Sequence, residues 1–390
     1  MPKIALVVQR YGEEVNGGAE LHARWLAEKL QASGTAAVTI LTTCALDYTT
    51  WENHYPAGQT TLNGVQVHRY ATDAPRNWVR EQKETGLLLT SPHTLADEQA
   101  WMSRQGPNSA ALLAAIQAGR DQYDGFIFIT YHYAPAFYGL PLVADKAILV
   151  PTAHEDPFLA MPIFRPLFHQ PRLLAYNTTT EQQLVRQITE TTVPSIIVGI
   201  GIDPPPDPPD PARFRAKFGI TGPFALYVGR VTAAKNVPSL LDDFRAYHDT
   251  AAHPLPLVLA GRADIAVPTH PAIHTLGFIT EQDKFDAIGA AEVVIMPSLY
   301  ESLSMIALEA WLMGKPMLVN GNCQVLKEQC RRSQGGLYYY EKREFAAALD
   351  YLQRHPRTAK GLGENGRAFV QANYNWDIIL AKYRALFEML

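Results

Sequence analysis

The stretch Val293-Val-Ile-Met-Pro297-Ser-Leu-Tyr-Glu301-Ser-Leu-Ser-Met-Ile-Ala-Leu-Glu309-Ala-Trp-Leu-Met-Gly314-Lys-Pro316 reads as a strand, a turn and a helix. Val293–Met296 is a short apolar run that Pro297 ends, because proline has no N–H to give a sheet ladder. From Leu303 to Met313 the chain is mostly apolar and free of turn residues, which predicts a helix. Gly314 suits the left-handed position that stops such a helix. The helix is expected to start near Ser302, with the Ser302 hydroxyl as its N-cap. Glu301 then lies in the turn, and Glu309 lies two turns into the helix. A helix N-terminus offers free N–H groups and a partial positive charge, so it can hold a phosphate or a sugar oxygen. Two carboxylates beside it can accept hydrogen bonds from ligand hydroxyls, as acidic residues do in dinucleotide sites. On spacing alone, a capping Glu301 and a solvated helix-face Glu309 also stay open.

The same strand–helix grammar extends outward in both directions. Phe224–Val228, Leu257–Ala260, Ile273–Leu276, Met317–Val319 and Leu337–Tyr340 predict further strands. Between and after them, helices are expected at Pro238–Tyr247, Asp283–Ala291, Val325–Arg332, Glu344–Arg354 and Trp376–Leu390. In the first half, Ile4–Val8, Val38–Thr42, Val65–Tyr70, Phe126–Thr130, Ala147–Val150, Leu173–Tyr176 and Ile196–Val198 lack strict alternation. They fit parallel strands buried on both faces. Residues 72–118 read as an irregular insertion with one helix near Ala110–Gln117. Asp203-Pro-Pro-Pro-Asp-Pro-Pro-Asp-Pro211 holds six prolines in nine residues, and a semi-rigid extended linker is expected there. The expected fold class is α/β, with two Rossmann-like, doubly wound parallel-sheet domains facing a cleft. Their expected bounds are 1–202 and 212–375, with linker 203–211 and a C-terminal helix at 376–390.

Composition narrows the classes. The chain has 390 residues, 47% hydrophobic and 18% charged, with a net charge of -4. That suits two sizeable cores and argues against nucleic acid as a partner. Three cysteines without a C-x-x-C pair disfavour a disulfide framework or a structural zinc site. No apolar run approaches a membrane span, and Ile4–Val8 is too short for a signal segment. A reducing cytoplasm is the expected compartment. Arg76, Trp78, Arg80 and Lys83 mark the place for peripheral membrane contact, with a solvated loop as the plainer reading.

In parallel sheets, chemistry is sought just past the strand ends. Gly229-Arg230, followed by Lys235-Asn236, puts two cations in one turn, suited to phosphate. Leu276-Gly277-Phe278-Ile279 follows another strand. Asn16-Gly17-Gly18-Ala19-Glu20 follows the first strand, and its glycines permit close backbone approach. His132 stands after Phe126–Thr130, and Thr152-Ala-His154-Glu-Asp156 follows Ala147–Val150. Asp156 or Glu155 can orient the His154 ring.

The Pro297–Pro316 segment resembles the E-x7-E signature of retaining GT-B glycosyltransferases, particularly glycosyltransferase family 4 of the group 1 type. P-S precedes the first Glu, E-A spans the second, and G-x-P follows. Where the family usually has Phe and Gly, this chain has Leu303 and Ser304, whose Cβ and hydroxyl narrow the space beside a donor sugar. Gly229-Arg230-x4-Lys235-Asn236, the Gly277-Phe278 turn, Gly17-Gly18-x-Glu20 and His154 are each similar to a family motif. Gly199-Ile-Gly-Ile-Asp203 resembles its hinge, and Trp376–Leu390 its returning helix.

The resemblance implies transfer of a sugar, with retention, from a nucleoside diphosphate sugar to a sugar, lipid-linked or other hydroxyl acceptor. It assigns catalytic roles to His154, Arg230, Lys235 and Glu301. Donor binding falls to Gly17, Gly18, Gly229, Gly277, Phe278, Ser302, Leu303, Ser304, Met305 and Glu309. His132 and Asp156 are acceptor-side candidates. No cofactor and no metal are implied, because protein cations carry the leaving-group charge. A non-catalytic nucleotide-sugar-binding scaffold and a GT-B phosphorylase or epimerase remain the alternatives.

Overall fold

The computed structural model describes every residue except Asn16 and Pro206. It divides into two compact units. Unit 1 comprises Met1–Gly201 and Trp376–Leu390, and unit 2 comprises Ile202–Asn375.

Unit 1 is built on strands β1 (Lys3–Val7), β2 (Ala37–Thr43), β3 (Gly58–Leu62), β4 (Val65–Tyr70), β5 (Gly125–Ile129), β6 (Ala147–Val150), β7 (Leu173–Tyr176) and β8 (Ser195–Ile197). They form one sheet in the order β3-β4-β2-β1-β5-β6-β7-β8. All pairs are parallel except β3 with β4. Strands β5, β6 and β7 are buried at every position, as strands covered on both faces must be. β3 was not foreseen. Its residues Gly58-Gln-Thr-Thr-Leu62 are polar and largely exposed, so no apolar run announces it. The two-residue turn Asn63-Gly64 joins it to β4, with φ of 49° and 80°, the conformation that Asn-Gly hairpins favour.

The insertion differs from its expectation. It holds three helices, Trp78–Thr90, Leu95–Gln105 and Ala110–Ala118. The polar residues that looked like breaks are their N-caps. The side chains of Asn77, Thr94 and Ser109 accept from the N–H groups of Arg80, Asp97 and Leu112. Buried charge pins the insertion down. Arg76 and Glu81 pair at 2.8 Å with side chains 4% exposed each, and the Glu98 carboxylate accepts from Ile163 N at 2.8 Å.

The helix Trp376–Phe387 packs within unit 1. Trp376 lies over Gly201, where a Cβ would come within 2.3 Å of the indole. Lys29 approaches the same ring, and Lys382 Nζ donates to Val198 O at 3.1 Å.

Unit 2 contains β9 (Ala225–Val228), β10 (Leu257–Ala260), β11 (Ile273–Gly277), β12 (Val293–Met296), β13 (Met317–Asn320) and β14 (Gly336–Tyr339). Their order is β11-β10-β9-β12-β13-β14, all parallel. The proline-rich stretch is not wholly a free linker. Asp207 N donates to Gln282 Oε1 and Asp210 N to Asp286 Oδ1, at 3.0 and 2.9 Å. Pro211 opens the helix Pro211–Phe218, and Asp210 caps it, a position where the missing proline N–H costs nothing. Pro206 lies outside the described residues. The helix Pro356–Asn373 was also unforeseen. No helix among the described residues is long and apolar enough to cross a membrane.

Candidate functional site

Because unit 2's strands are all parallel, the turns that leave β9, β10, β11, β12 and β13 emerge on one edge of the sheet. β9 pairs directly with β12, so the turn carrying Arg230 and Lys235 neighbours the turn carrying Glu301. Lys235 Nζ reaches Glu301 Oε1 at 2.7 Å. Gly229 has φ 143° and Gly261 φ 145°, and a Cβ on Gly261 would lie 1.9 Å from Gly229 O. The backbones after β9 and β10 can therefore approach only through glycine. The Tyr227 hydroxyl donates to Arg230 O at 2.7 Å. Asn236 and Asn320 both donate through Nδ2 to Pro297 O, at 3.1 and 3.2 Å. The Pro297 carbonyl thus ties together the turns after β9, β12 and β13. Arg230 is exposed at this edge, and Lys235 and Glu301 are half-buried.

The helix after β12 starts later than expected. It spans Met305–Leu312, and its N-cap is Ser304, not Ser302. Leu303 turns into the core at 4% exposure, and no right-handed helix can run through Ser304, whose φ is positive. Ser304 then reverses it at φ 70°, and its hydroxyl accepts from Ala307 N at 3.4 Å. A side chain at that φ carries strain of about 1–3 kcal/mol, which glycine escapes. Ser304→Gly is accordingly expected to hold or raise the melting temperature. Ser304→Ala keeps the strain and loses the cap, at a cost of about 1 kcal/mol. Thermal unfolding of the two variants checks the order. Gly314 ends the segment at φ 69°.

Glu309 is not a solvated helix-face residue. It is 2% exposed, and Lys284 Nζ donates to its Oε1 at 2.7 Å. Glu309 Oε2 is buried without a hydrogen-bond partner. Burial pushes the Glu309 carboxyl above the ordinary carboxylate range, and Lys284 pulls it the other way. Lys284 stands in the first turn of the helix Glu281–Ala290 and also donates to Glu281 Oε1 at 2.7 Å. Gly277, at φ 67° with nothing near its open side, ends β11 on the same edge. Phe278 follows it, 74% exposed. Ser302 and Met305 are half-buried.

In unit 1 the corresponding edge holds a polar cluster. Glu20 lies inside, accepting from Gln9 Nε2 and Arg10 Nε, both at 2.9 Å. Gly17 makes room for it, since a Cβ there would sit 2.0 Å from Glu20 Oε2. Gly18 begins the helix Gly18–Ala32, whose N-cap is Gly17. Gly17 therefore serves the packing of Glu20 in addition to leaving backbone open. Asn16 lies outside the described residues.

Past β5 and β6 the chain turns at Thr130 and Thr152, with φ 71° and 51°, a conformation β-branched residues rarely adopt. Their hydroxyls are 3.1 Å apart. Two residues beyond each stands a histidine. His154 Nδ1 lies 3.1 Å from Asp156 Oδ2. Burial would raise the Asp156 carboxyl, but the His154 and His132 rings outweigh it and hold it below the ordinary range. His132 stacks on Phe158 with ring centroids 6.2 Å apart. Burial drives its imidazole down to about 4, so it is neutral at pH 7. Glu181 braces the turn before His154, accepting from Ala153 N and Asn177 N, both at 2.6 Å. Burial pushes its carboxyl up to about 8, against the pull of those amides.

Lys284, Asn320 and Glu181 escaped the sequence reading, and Asn236 was read as part of its motif without a role of its own. Each meets its partner through space, and no spacing links Lys284 to Glu309. The Thr178-x-x-Glu181 pattern does resemble a capping box, and that signal was available.

Residues 222–355, which span unit 2's whole sheet, match the family described as "Glycosyl transferases group 1". An uncharacterized glycosyltransferase of Methanocaldococcus jannaschii is 23% identical over 419 residues, an alignment covering 100% of this chain and 99% of that one. An MMP α-(1→4)-mannosyltransferase of Mycolicibacterium hassiacum is 30% identical over 122 residues, 30% of this chain and 29% of that protein. Among solved structures, sucrose-phosphate synthase from Thermosynechococcus elongatus has a TM-score of 0.74 at 17% identity, over 100% of both chains. Anabaena HepE, in complex with UDP and glucose, has a TM-score of 0.69 at 15% identity, again over 100% of both. The class defined here is that of glycosyltransferases with the GT-B fold. The match to the group 1 model lies within unit 2, where Arg230, Lys235, Glu301 and Glu309 converge on one sheet edge.

Proposed function

We propose that the chain is a retaining glycosyltransferase of family 4 type, moving a sugar from a nucleoside diphosphate sugar to an acceptor hydroxyl in polysaccharide, glycolipid or small-glycoside synthesis. The observation that carries this reading is the edge of unit 2. There Glu309 keeps one buried oxygen without a partner, Lys235 pairs with Glu301, and Arg230 stands exposed in the same turn as Lys235. Glu309 accepts from the nucleoside's ribose, Arg230 and Lys235 neutralise the leaving diphosphate, and Phe278 with the open Gly277 backbone receives the base. Glu301 orients the sugar. In unit 1, His154 takes a catalytic role, and His132 and Asp156 serve the acceptor side.

Retention needs no carboxylate nucleophile on this reading. The leaving phosphate accepts the acceptor's proton on the same face, and catalysis rests on charge stabilisation and orientation. The complexes of HepE with UDP and glucose and of trehalose-6-phosphate synthase with UDP-2-fluoro glucose support a nucleotide-sugar donor.

A ligand that binds only the folded state raises the melting temperature. A thermal-shift panel of UDP, GDP, ADP and their sugars is expected to give a rise with one base. No rise with any of them, in a folded protein, sinks the reading. A rise without transfer or donor hydrolysis leaves a nucleotide-sugar-binding scaffold.

A further inference from the structure

We propose that Lys284 is a positioning residue for the donor nucleotide: it occupies one oxygen of Glu309 and so presents the other, as an ionised acceptor, to a ligand hydroxyl. The inference rests on the reading of unit 2 as the donor site and goes beyond it by assigning a role to a residue outside the signature segment.

The geometry is specific. Lys284 is 12% exposed and Glu309 2%, so the contact is screened from solvent. Lys284 Nζ takes Glu309 Oε1 and Glu281 Oε1, both at 2.7 Å. Glu309 Oε2 is left buried with no partner, and an unpaired buried carboxylate oxygen is costly unless a ligand completes it. Both side chains belong to helices whose first turns lie on the ligand-facing edge, Glu281–Ala290 after β11 and Met305–Leu312 after β12. The charged groups bearing on Glu309 are Lys284, which favours its ionised form, and Glu281, which disfavours it. Glu281 is about half exposed, at 54%, so the buried ammonium dominates.

Without Lys284, burial and Glu281 act on Glu309 unopposed. Its carboxyl then takes up a proton at higher pH, and it stops being a fixed acceptor for a hydroxyl. Donor affinity is therefore lost as pH falls, and lost earlier than in the native protein.

The test measures KM for the nucleotide sugar, and binding of the matching nucleoside diphosphate by calorimetry, across pH 5.5–9 (roughly the span over which a perturbed carboxylate titrates). Lys284→Met, Lys284→Arg and Glu309→Gln are compared with the native chain. Lys284→Met is expected to raise KM about 10- to 100-fold at neutral pH, the worth of one hydrogen bond to a charged group. Its KM should recover at high pH, with the midpoint displaced upward. Lys284→Arg keeps the charge and should keep the native pH profile. Glu309→Gln should weaken binding with no pH dependence of its own. Identical pH profiles for native and Lys284→Met overturn the proposal, as does a Lys284→Arg profile that follows Lys284→Met. If the native chain binds no nucleoside diphosphate, the donor-site reading itself has failed. If Lys284→Met is too unstable to assay, a Glu309→Gln protein that binds the nucleoside diphosphate as tightly as the native chain, with the same pH profile, overturns the proposal.

Discussion

Arg230→Ala and Lys235→Ala are each expected to lower kcat for nucleotide-sugar turnover by about 100- to 1000-fold, the effect of removing one preorganised charge stabiliser from a transition state. The charge that develops in the reaction collects on the leaving diphosphate. The two cations at unit 2's ligand edge in this turn are Arg230, exposed there, and Lys235, 2.7 Å from Glu301. The variants should differ in kind. Removing Lys235 also strips Glu301 of its ion-pair partner, so KM for the donor should rise along with the fall in kcat. Removing Arg230 leaves that pair intact and should act mainly on kcat. Initial rates at saturating and limiting donor separate the two. Run with EDTA, the same assay should show unchanged native activity, because the protein's own cations carry the charge. Native rates in both alanine variants, or EDTA inhibition reversed by Mg2+, remove the mechanism.

The second large effect concerns stability. The helix bearing Glu309 is braced from behind by Pro356–Asn373 through glycine. A Cβ on Gly363 would lie 1.9 Å from the backbone oxygen of Gly314, and one on Gly366 would lie 2.2 Å from Trp311 Cδ1. Neither neighbour can yield cheaply. One is backbone, and the other is a fully buried indole whose Nε1 donates to Gly335 O at 2.8 Å. Gly363→Ala or Gly366→Ala must push two helices apart, at a cost of about 3 kcal/mol. Gly361 is the control. It sits in the same helix with nothing within 4 Å of its missing side chain. Gly361→Ala should stabilise by about 1 kcal/mol, the helix-propensity difference. Denaturant midpoints at unchanged slope check all three. A cost at Gly361 equal to that at Gly366 would show that packing is not the cause.

These glycines also explain what the sequence concealed. Lys360-Gly-Leu-Gly-Glu-Asn-Gly366 looks like a poor helix by propensity, yet it is helical, and at Gly363 and Gly366 the close packing demands glycine. The insertion's caps looked like interruptions for a related reason. Asn77, Thr94 and Ser109 belong to no apolar face, and their effect lies in a few hydrogen bonds at a helix start. β3 carries polar residues along its length, so only Asn63-Gly64 betrayed it. The buried strands, by contrast, were legible almost to the residue, since burial on both faces forces apolar runs. In the site, the segments carrying Arg230, Lys235, Glu301 and Glu309 were legible as motifs. The start of the Glu309 helix was not. Ser302 and Ser304 are the same residue type, and the positive φ at Ser304 that decides which one caps is not written in either. Lys284 was hidden because its partner is 25 residues away.

The return of Trp376–Phe387 to unit 1 has a consequence for how the protein is made. Unit 1 is discontinuous along the chain, with all of 202–375 interposed before its last helix. During synthesis residues 1–201 must wait, with the surface that Trp376, Ile379 and Tyr383 will cover still bare, until unit 2 has emerged. Completion of unit 1 is thereby deferred until residues 376–390 are made, and a ribosome that stops before them releases a unit 1 lacking its closing helix.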